Sequence, residues 1–188
     1  VVRLSDSLNN ERMAVSVLGL IAKLYTQQEN YERALVLKKE ALDRAIEAKL
    51  EPIQGYASKD LGNIFLQLGQ LDSAEYYAKK ALEISEEQNR YFFIAGESYV
   101  ILSRILLEAK RYPEAIKAGN RAKDLAEKTN AKLLELEASE SLSDIYQDLT
   151  EQDLAIQYAE NAQKLAKYLN SPEKLLDAYN RLKNLYLS

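Results

Sequence analysis

Ser171-Pro172-Glu173-Lys174 spells S-x-x-K, a spacing that invites a reading in which a lysine amine activates a serine hydroxyl. Ser directly before Pro and Glu is also the pattern of a helix N-cap with proline in the first turn, which is the stronger reading here. Acid pairs such as Glu86-Glu87 and Glu135 with Glu137 suggest acid/base work, but on amphipathic helices such charge usually marks a wet face. The chain contains no Cys and no His. Thiolate and imidazole ligands, Cys nucleophiles, His bases and disulfides are therefore excluded. No phosphate-cradling glycine loop, dinucleotide fingerprint or calcium-loop pattern occurs. What remains is chemistry by carboxylates, Tyr or Lys, which would need a deep pocket with convergent acids. No cofactor is expected.

Composition narrows the partners. Hydrophobic residues make up 47% of the 188 and charged residues 29%, ordinary for a folded domain and too apolar for disorder. The formal charge is −4, and Lys and Arg are scattered, so the basic footprint of a nucleic-acid binder is missing. Apolar runs are only a few residues long, far short of the roughly 20 that span a bilayer, so no membrane insertion is expected. A chain without Cys suits the cytosol, the favoured compartment, and suits a periplasm if it is an excised sensor domain.

The elements that would position any site are set by an internal repeat. Ala34, Ala74, Ala115 and Ala155 recur at 40 or 41 residues, each followed seven residues later by Ala41, Ala81, Ala122 and Ala162. A period of this length signals stacked units, none of which buries its apolar face alone. Before each first alanine, apolar residues fall at helical spacing: Leu61, Ile64, Phe65 and Leu68 in one unit, Leu142, Ile145, Tyr146 and Leu149 in another, Ile21, Leu24 and Tyr25 in the first, Leu182, Leu185 and Tyr186 in the last. Twelve residues before the alanine stands a small residue, Ala22, Gly62, Ser103 or Ser143, so that paired helices approach closely there. Turns fall at Gln28-Glu29-Asn30, Gly69-Gln70, Lys110-Arg111 and Thr150-Glu151. Breaks between units fall at Glu51-Pro52, Asn89-Arg90, Asn130 and Asn170-Ser171-Pro172. Helix pairs are expected at 10–28 and 31–49, 52–68 and 71–88, 91–109 and 112–129, and 131–149 and 151–169, with a ninth helix at 172–187.

A small residue at the eighth position of the repeat, an aromatic or Leu at the eleventh, and Ala at the twentieth and twenty-seventh resemble the tetratricopeptide repeat; Gly62, Phe65, Ala74 and Ala81 carry it most clearly. The resemblance spans essentially the whole chain and is to the longer-helix variety with a 40-residue period. The family's fourth-position Trp is absent, Leu18, Ser58, Tyr99 and Ser139 standing there. The fold implied is all-α, a right-handed α-solenoid of antiparallel helix pairs in a single domain over 1–188. Its units would be about 10–50, 51–89, 90–130 and 131–170, with a terminal helix at 171–188. Aligning Asn9 with Asn130 and Asn170 places the first residues in the last turns of a preceding helix, which suggests an excerpt of a longer protein.

In similar proteins the first helices of successive pairs line a concave groove. Carried over, this implicates Tyr56, Lys59, Asn63, Leu66, Val100, Ile101, Arg104, Leu107, Glu140 and Asp144. Lys59 and Asn63, one turn apart, match the start of the clamp by which some such domains grip a peptide carboxylate. The match then fails, since Ile101 replaces the next Asn, and Glu137 and Ser141 replace Lys and Arg. Val100, Ile101 and Leu107, with Tyr56 and Leu66, are expected to form an apolar floor. Glu137, Glu140, Asp144, Asp148 and Asp177 make the later groove acidic, matching a peptide whose basic part binds there. The resulting expectation is a non-catalytic protein- or peptide-binding scaffold, the sensory or adaptor module of a larger signalling protein. The alternatives are a homo-oligomerisation element, the chain then being a homodimer, and a carboxylate-based enzyme.

Overall fold

A helix pair closes where neither partner carries bulk at the crossing. In the computed structural model, a Cβ built on Gly62 would stand 3.2 Å from the backbone N of Ala78 and 3.3 Å from the carbonyl of Ala74. The equivalent Ser143 fits because its hydroxyl donates to the Ala155 carbonyl, 2.9 Å away. The structure describes the backbone of residues 2–87 and 91–187, and the side chains of residues 9–86 and 91–187.

Among the described residues nine helices follow one another: α1 (Val2–Gln27), α2 (Tyr31–Glu47), α3 (Glu51–Gln67), α4 (Leu71–Glu87), α5 (Phe92–Glu108), α6 (Tyr112–Thr129), α7 (Lys132–Asp148), α8 (Gln152–Tyr168) and α9 (Pro172–Leu187). They agree with the expected pairs except at the start. Helix α1 runs unbroken from Val2, through residues expected to close a preceding helix. Asn9 was the supposed break, but Asn tolerates a left-handed turn without requiring one, and no Gly or Pro occurs before Gly19. The break expected at Asn89-Arg90 lies outside the described residues.

The turns share one construction. Glu29, Gly69, Lys110 and Thr150 take positive φ (57°, 69°, 57° and 60°), as do Lys49, Asn130 and Asn170 between units (53°, 52° and 55°). Beyond each, an amide donates back across the last helical turn, as Gln70 N does to Phe65 O (2.9 Å) and Leu50 N to Ala45 O (2.8 Å). This is the left-handed closure that satisfies the last carbonyls of a helix. Only at Gly69 does the residue type supply it without steric cost.

The chain divides into two compact units, Val1–Ile94 and Ala95–Ser188. In the first, Val15 of α1 packs with Ala41 and Ala45 of α2, and Ile53 of α3 lies against them. In the second, Val100 of α5, Ala122 and Ala126 of α6, and Leu134 and Ala138 of α7 form one cluster. Leu136 sits on Ala162 and Ala166 of α8, and Leu182 and Leu185 of α9 on Ala155 and Ala159. Alanine rows on the second helices thus receive larger side chains from first helices, the close approach that the repeat required.

Candidate functional site

In the first unit, Lys59 stands 3.0 Å from Asp60 Oδ1, with its ammonium over the Tyr56 ring. Asp60 Oδ2 accepts from Lys38 at 2.6 Å, and Lys38 also donates to the Gly19 carbonyl at 3.2 Å. Lys38 is only 5% exposed, on α2 at a position that is Ala78, Gly119 or Ala159 in the other pairs. Burial pushes the Asp60 carboxyl up, but the charges of Lys59 and Lys38 and their hydrogen bonds outweigh it, and the group is held below its ordinary range. Lys59 is therefore engaged by Asp60. Asn63 and Leu66 are half-buried on the same helix, and Tyr56 is exposed.

The second unit corrects the expected apolar floor. Val100 lies at 2% exposure in the cluster with Ala122, Ala126, Leu134 and Ala138, and Ile101 is buried as well. A first helix within an array has the next first helix beside it as well as its own partner. Side chains off the main stripe are buried on that second side. Leu107 is half-buried. The terminal stripes also differ from expectation: Ile21, Leu24 and Tyr186 are exposed, since no described helix covers those faces.

What the second unit does contain is a polar cavity of about 380 Å³ between α7 and α9. Its acids are Glu140 and Asp144 from α7 and Asp177 from α9. Its bases, Lys174 and Arg181, both come from α9. Gln147, Asn180 and Asn184 add amides. Glu140 is buried and faces Lys174 Nζ at 3.6 Å and Arg104 Nη2 at 3.9 Å. Asp144 is paired with Arg181, whose Nε is buried with no hydrogen-bond partner. Burial pulls the Arg181 guanidinium below its ordinary range, Glu140 acting against that and Arg104 with it. Burial lifts the neighbouring Glu137 carboxyl against the pull of Arg104 and Lys174, with Glu97 and Glu140 adding to the lift. Asp148 stands apart, taken by Lys110 and the Tyr112 hydroxyl, each at 2.8 Å.

The cavity brings together Glu140 and Asp144, with Arg104 reaching Glu140. Of the five acids read from sequence, Glu140, Asp144 and Asp177 line the cavity, and Lys174 and Arg181 of α9 stand among them. Arg181 was legible in principle, because it is the α9 counterpart of Ile101, one of the residues implicated by the resemblance. Lys174 precedes the repeat pattern and gave no signal. As for S-x-x-K, the Ser171 hydroxyl accepts from the Lys174 backbone N–H at 3.4 Å, as a cap does, while the Lys174 ammonium turns to Glu140. No described helix is long and apolar enough to cross a membrane.

Residues 13–87 match the family model described as Tetratricopeptide repeat. No curated protein sequence matches the chain significantly. Among solved structures, BtubC (BKLC) from P. vanneervenii is similar over 97% of this chain and 80% of its own, with 18% identity and a TM-score of 0.78. A signal transduction ATPase with numerous domains and a tetratricopeptide repeat sensor, from Pyrococcus horikoshii, shares 23% identity over 96% of this chain, with a TM-score of 0.77. The apo form of RapI shares 15% over 92%, with a TM-score of 0.76. The chain spans 62% of RapI and 27% of the ATPase. At these identities the likeness is one of fold, an all-α solenoid.

Proposed function

We propose that the chain, whose residues 13–87 match the tetratricopeptide-repeat family model, is a non-catalytic scaffold for a protein or peptide segment, the sensory or adaptor module of a larger regulatory protein. The observation that supports this best is the cavity between α7 and α9. Three amide side chains there offer donors and acceptors suited to a peptide backbone. Three acids against two bases leave a small excess of negative charge, and Asp177 is exposed. A basic side chain entering the cavity takes over part of the role that Lys174 and Arg181 now play toward the acids. The helices are already packed, so the scaffold loses little freedom on binding. That the Pyrococcus ATPase carries its repeats as a sensor agrees with a sensory role.

A phage-displayed peptide library panned on the chain tests the proposal. Enriched peptides should carry Lys or Arg, bind more weakly at higher salt, and lose about tenfold in affinity with Asp177→Lys. A library without binders, or binders indifferent to Asp177→Lys, overturns it.

A further inference from the structure

Helix α7 lines up Glu137, Glu140 and Asp144 on one face, at i, i+3 and i+7. Opposite them the neighbouring helices supply Arg104 of α5 and Lys174 and Arg181 of α9. These bases are shared unevenly. Arg181 goes to Asp144, while Arg104 and Lys174 both go to Glu140, at 3.9 and 3.6 Å. Glu137, half-buried one turn before Glu140, is left without a base: no ion pair or hydrogen bond among the described residues reaches it.

The hold on Glu140 is loose. Its side chain is only 6% exposed, yet neither base comes within hydrogen-bonding distance of it. Contacts of that length rest on charge alone, so either base can be drawn off when the charge around it changes. The groups that act on Glu137 are these same ones. Arg104 and Lys174 favour its ionised form, Glu97 of α5 and Glu140 on its own helix oppose it, and burial opposes it most, so its carboxyl stands above the ordinary range. Helices α6 and α8 pack on the other side of α7, through Leu134, Ala138 and Leu136. Glu137 and Glu140 thus compete for Arg104 and Lys174.

We infer that this competition makes the cavity proton-sensitive: Glu137 keeps a proton while Arg104 and Lys174 serve Glu140, and gives it to solvent when a cationic segment takes over Glu140 and leaves those bases to Glu137. The inference rests on the role proposed above for the cavity. Binding and deprotonation then favour each other by linkage. Ionised Glu137 belongs to the occupied cavity, so affinity is highest above the raised value and falls as pH drops through it. The chain has no His and no Cys, so no side chain with an ordinary pKa titrates between about pH 5.5 and about pH 7.5.

Terminally blocked tetra-arginine, which does not titrate in this range, is the probe, its affinity measured by calorimetry at about pH 7.5 and about pH 5.5. Acidification weakens the binding of any cation by removing negative charge, so Glu137→Gln, which imitates the protonated carboxyl, sets the baseline. The wild type should lose about threefold more affinity than this variant over the step. Carboxyl-detected NMR should show the Glu137 titration moving to lower pH when the probe is bound, and also in unliganded Glu140→Gln, where both bases are released. Equal losses in the wild type and Glu137→Gln, or a Glu137 titration that stays in place, overturn the inference and leave the cavity a site for cations. A probe that binds at neither pH, or binds Asp177→Lys as well as the wild type, overturns the proposed cavity and the inference with it.

Discussion

A Cβ on Gly62 would meet the backbone of Ala78 and Ala74 at 3.2 and 3.3 Å, tighter than ordinary van der Waals contact. Unlike a side-chain neighbour, a helix backbone cannot turn aside. Gly62→Leu is therefore expected to cost about 1–3 kcal/mol or more in urea unfolding, while Asn63→Ala, one residue on and half-buried, should leave it nearly unchanged. Equal effects would show that the crossing does not lie where the repeat puts it. Glu137 gives a second prediction, with a pH sign. Its carboxyl is raised above its ordinary range, chiefly by burial, so the folded state holds this proton more tightly than the unfolded chain does. The charged form is thus a burden above the raised value, relieved as pH falls through it. Glu137→Gln should raise Tm at pH 7 by a few degrees and bring no gain near pH 4, as differential scanning calorimetry would show. Asp60 behaves oppositely. Its lowered value supplies stability that is complete above about pH 4 and is lost at lower pH.

At the scale of elements, every described turn depends on one left-handed residue, and Thr150 is the costliest choice among them. A β-branched residue at φ 60° brings its side chain against the backbone, a penalty of about 1–2 kcal/mol that glycine avoids. Thr150→Gly should then gain about 0.5–1 kcal/mol after glycine's greater unfolded-state entropy is subtracted. Chemical denaturation measures this, and a loss of stability would mean that Thr150 is not left-handed in solution. The same turns mark what was legible in the sequence. Their places followed from the alanine period, and Asn130, Asn170 and Gly69 advertised their backbone by type. Glu29, Lys49, Lys110 and Thr150 did not, because the docking of helices on either side imposes their conformation whatever the side chain. The site divides similarly. Glu140 and Asp144 could be read from groove positions, whereas Lys38 occupies a position of Ala and Gly elsewhere, and only the fold brings it to Asp60. Val100 was misread because helical periodicity reports a single apolar stripe, while a helix inside an array is covered on two sides.

At the scale of the whole molecule, the main packing is between helices adjacent in sequence: α1 with α2, α2 with α3, α3 with α4, α6 with α7, α7 with α8 and α8 with α9. Stability in such an array is a sum of local units and nearest-neighbour interfaces, so damage should stay local. Leu185 puts this to the test, being 1% exposed in the cluster with Ala155, Ala159 and Leu182 and lying in the last helix. Leu185→Ala removes buried volume shared chiefly by α8 and α9, with Tyr146 of α7 against it, a loss of about 2–5 kcal/mol where the site cannot collapse. Native-state hydrogen exchange should report it as faster opening of α9, and to a lesser degree of α8, with α3 and α4 protected as before. Helix α9 packs mainly on α8, with ion pairs to α7, so its release exposes less interface than the opening of α3, which breaks contacts with both α2 and α4. Acceleration spread equally over all helices would show that the repeats unfold as one cooperative block, and the nearest-neighbour account of this chain would fail.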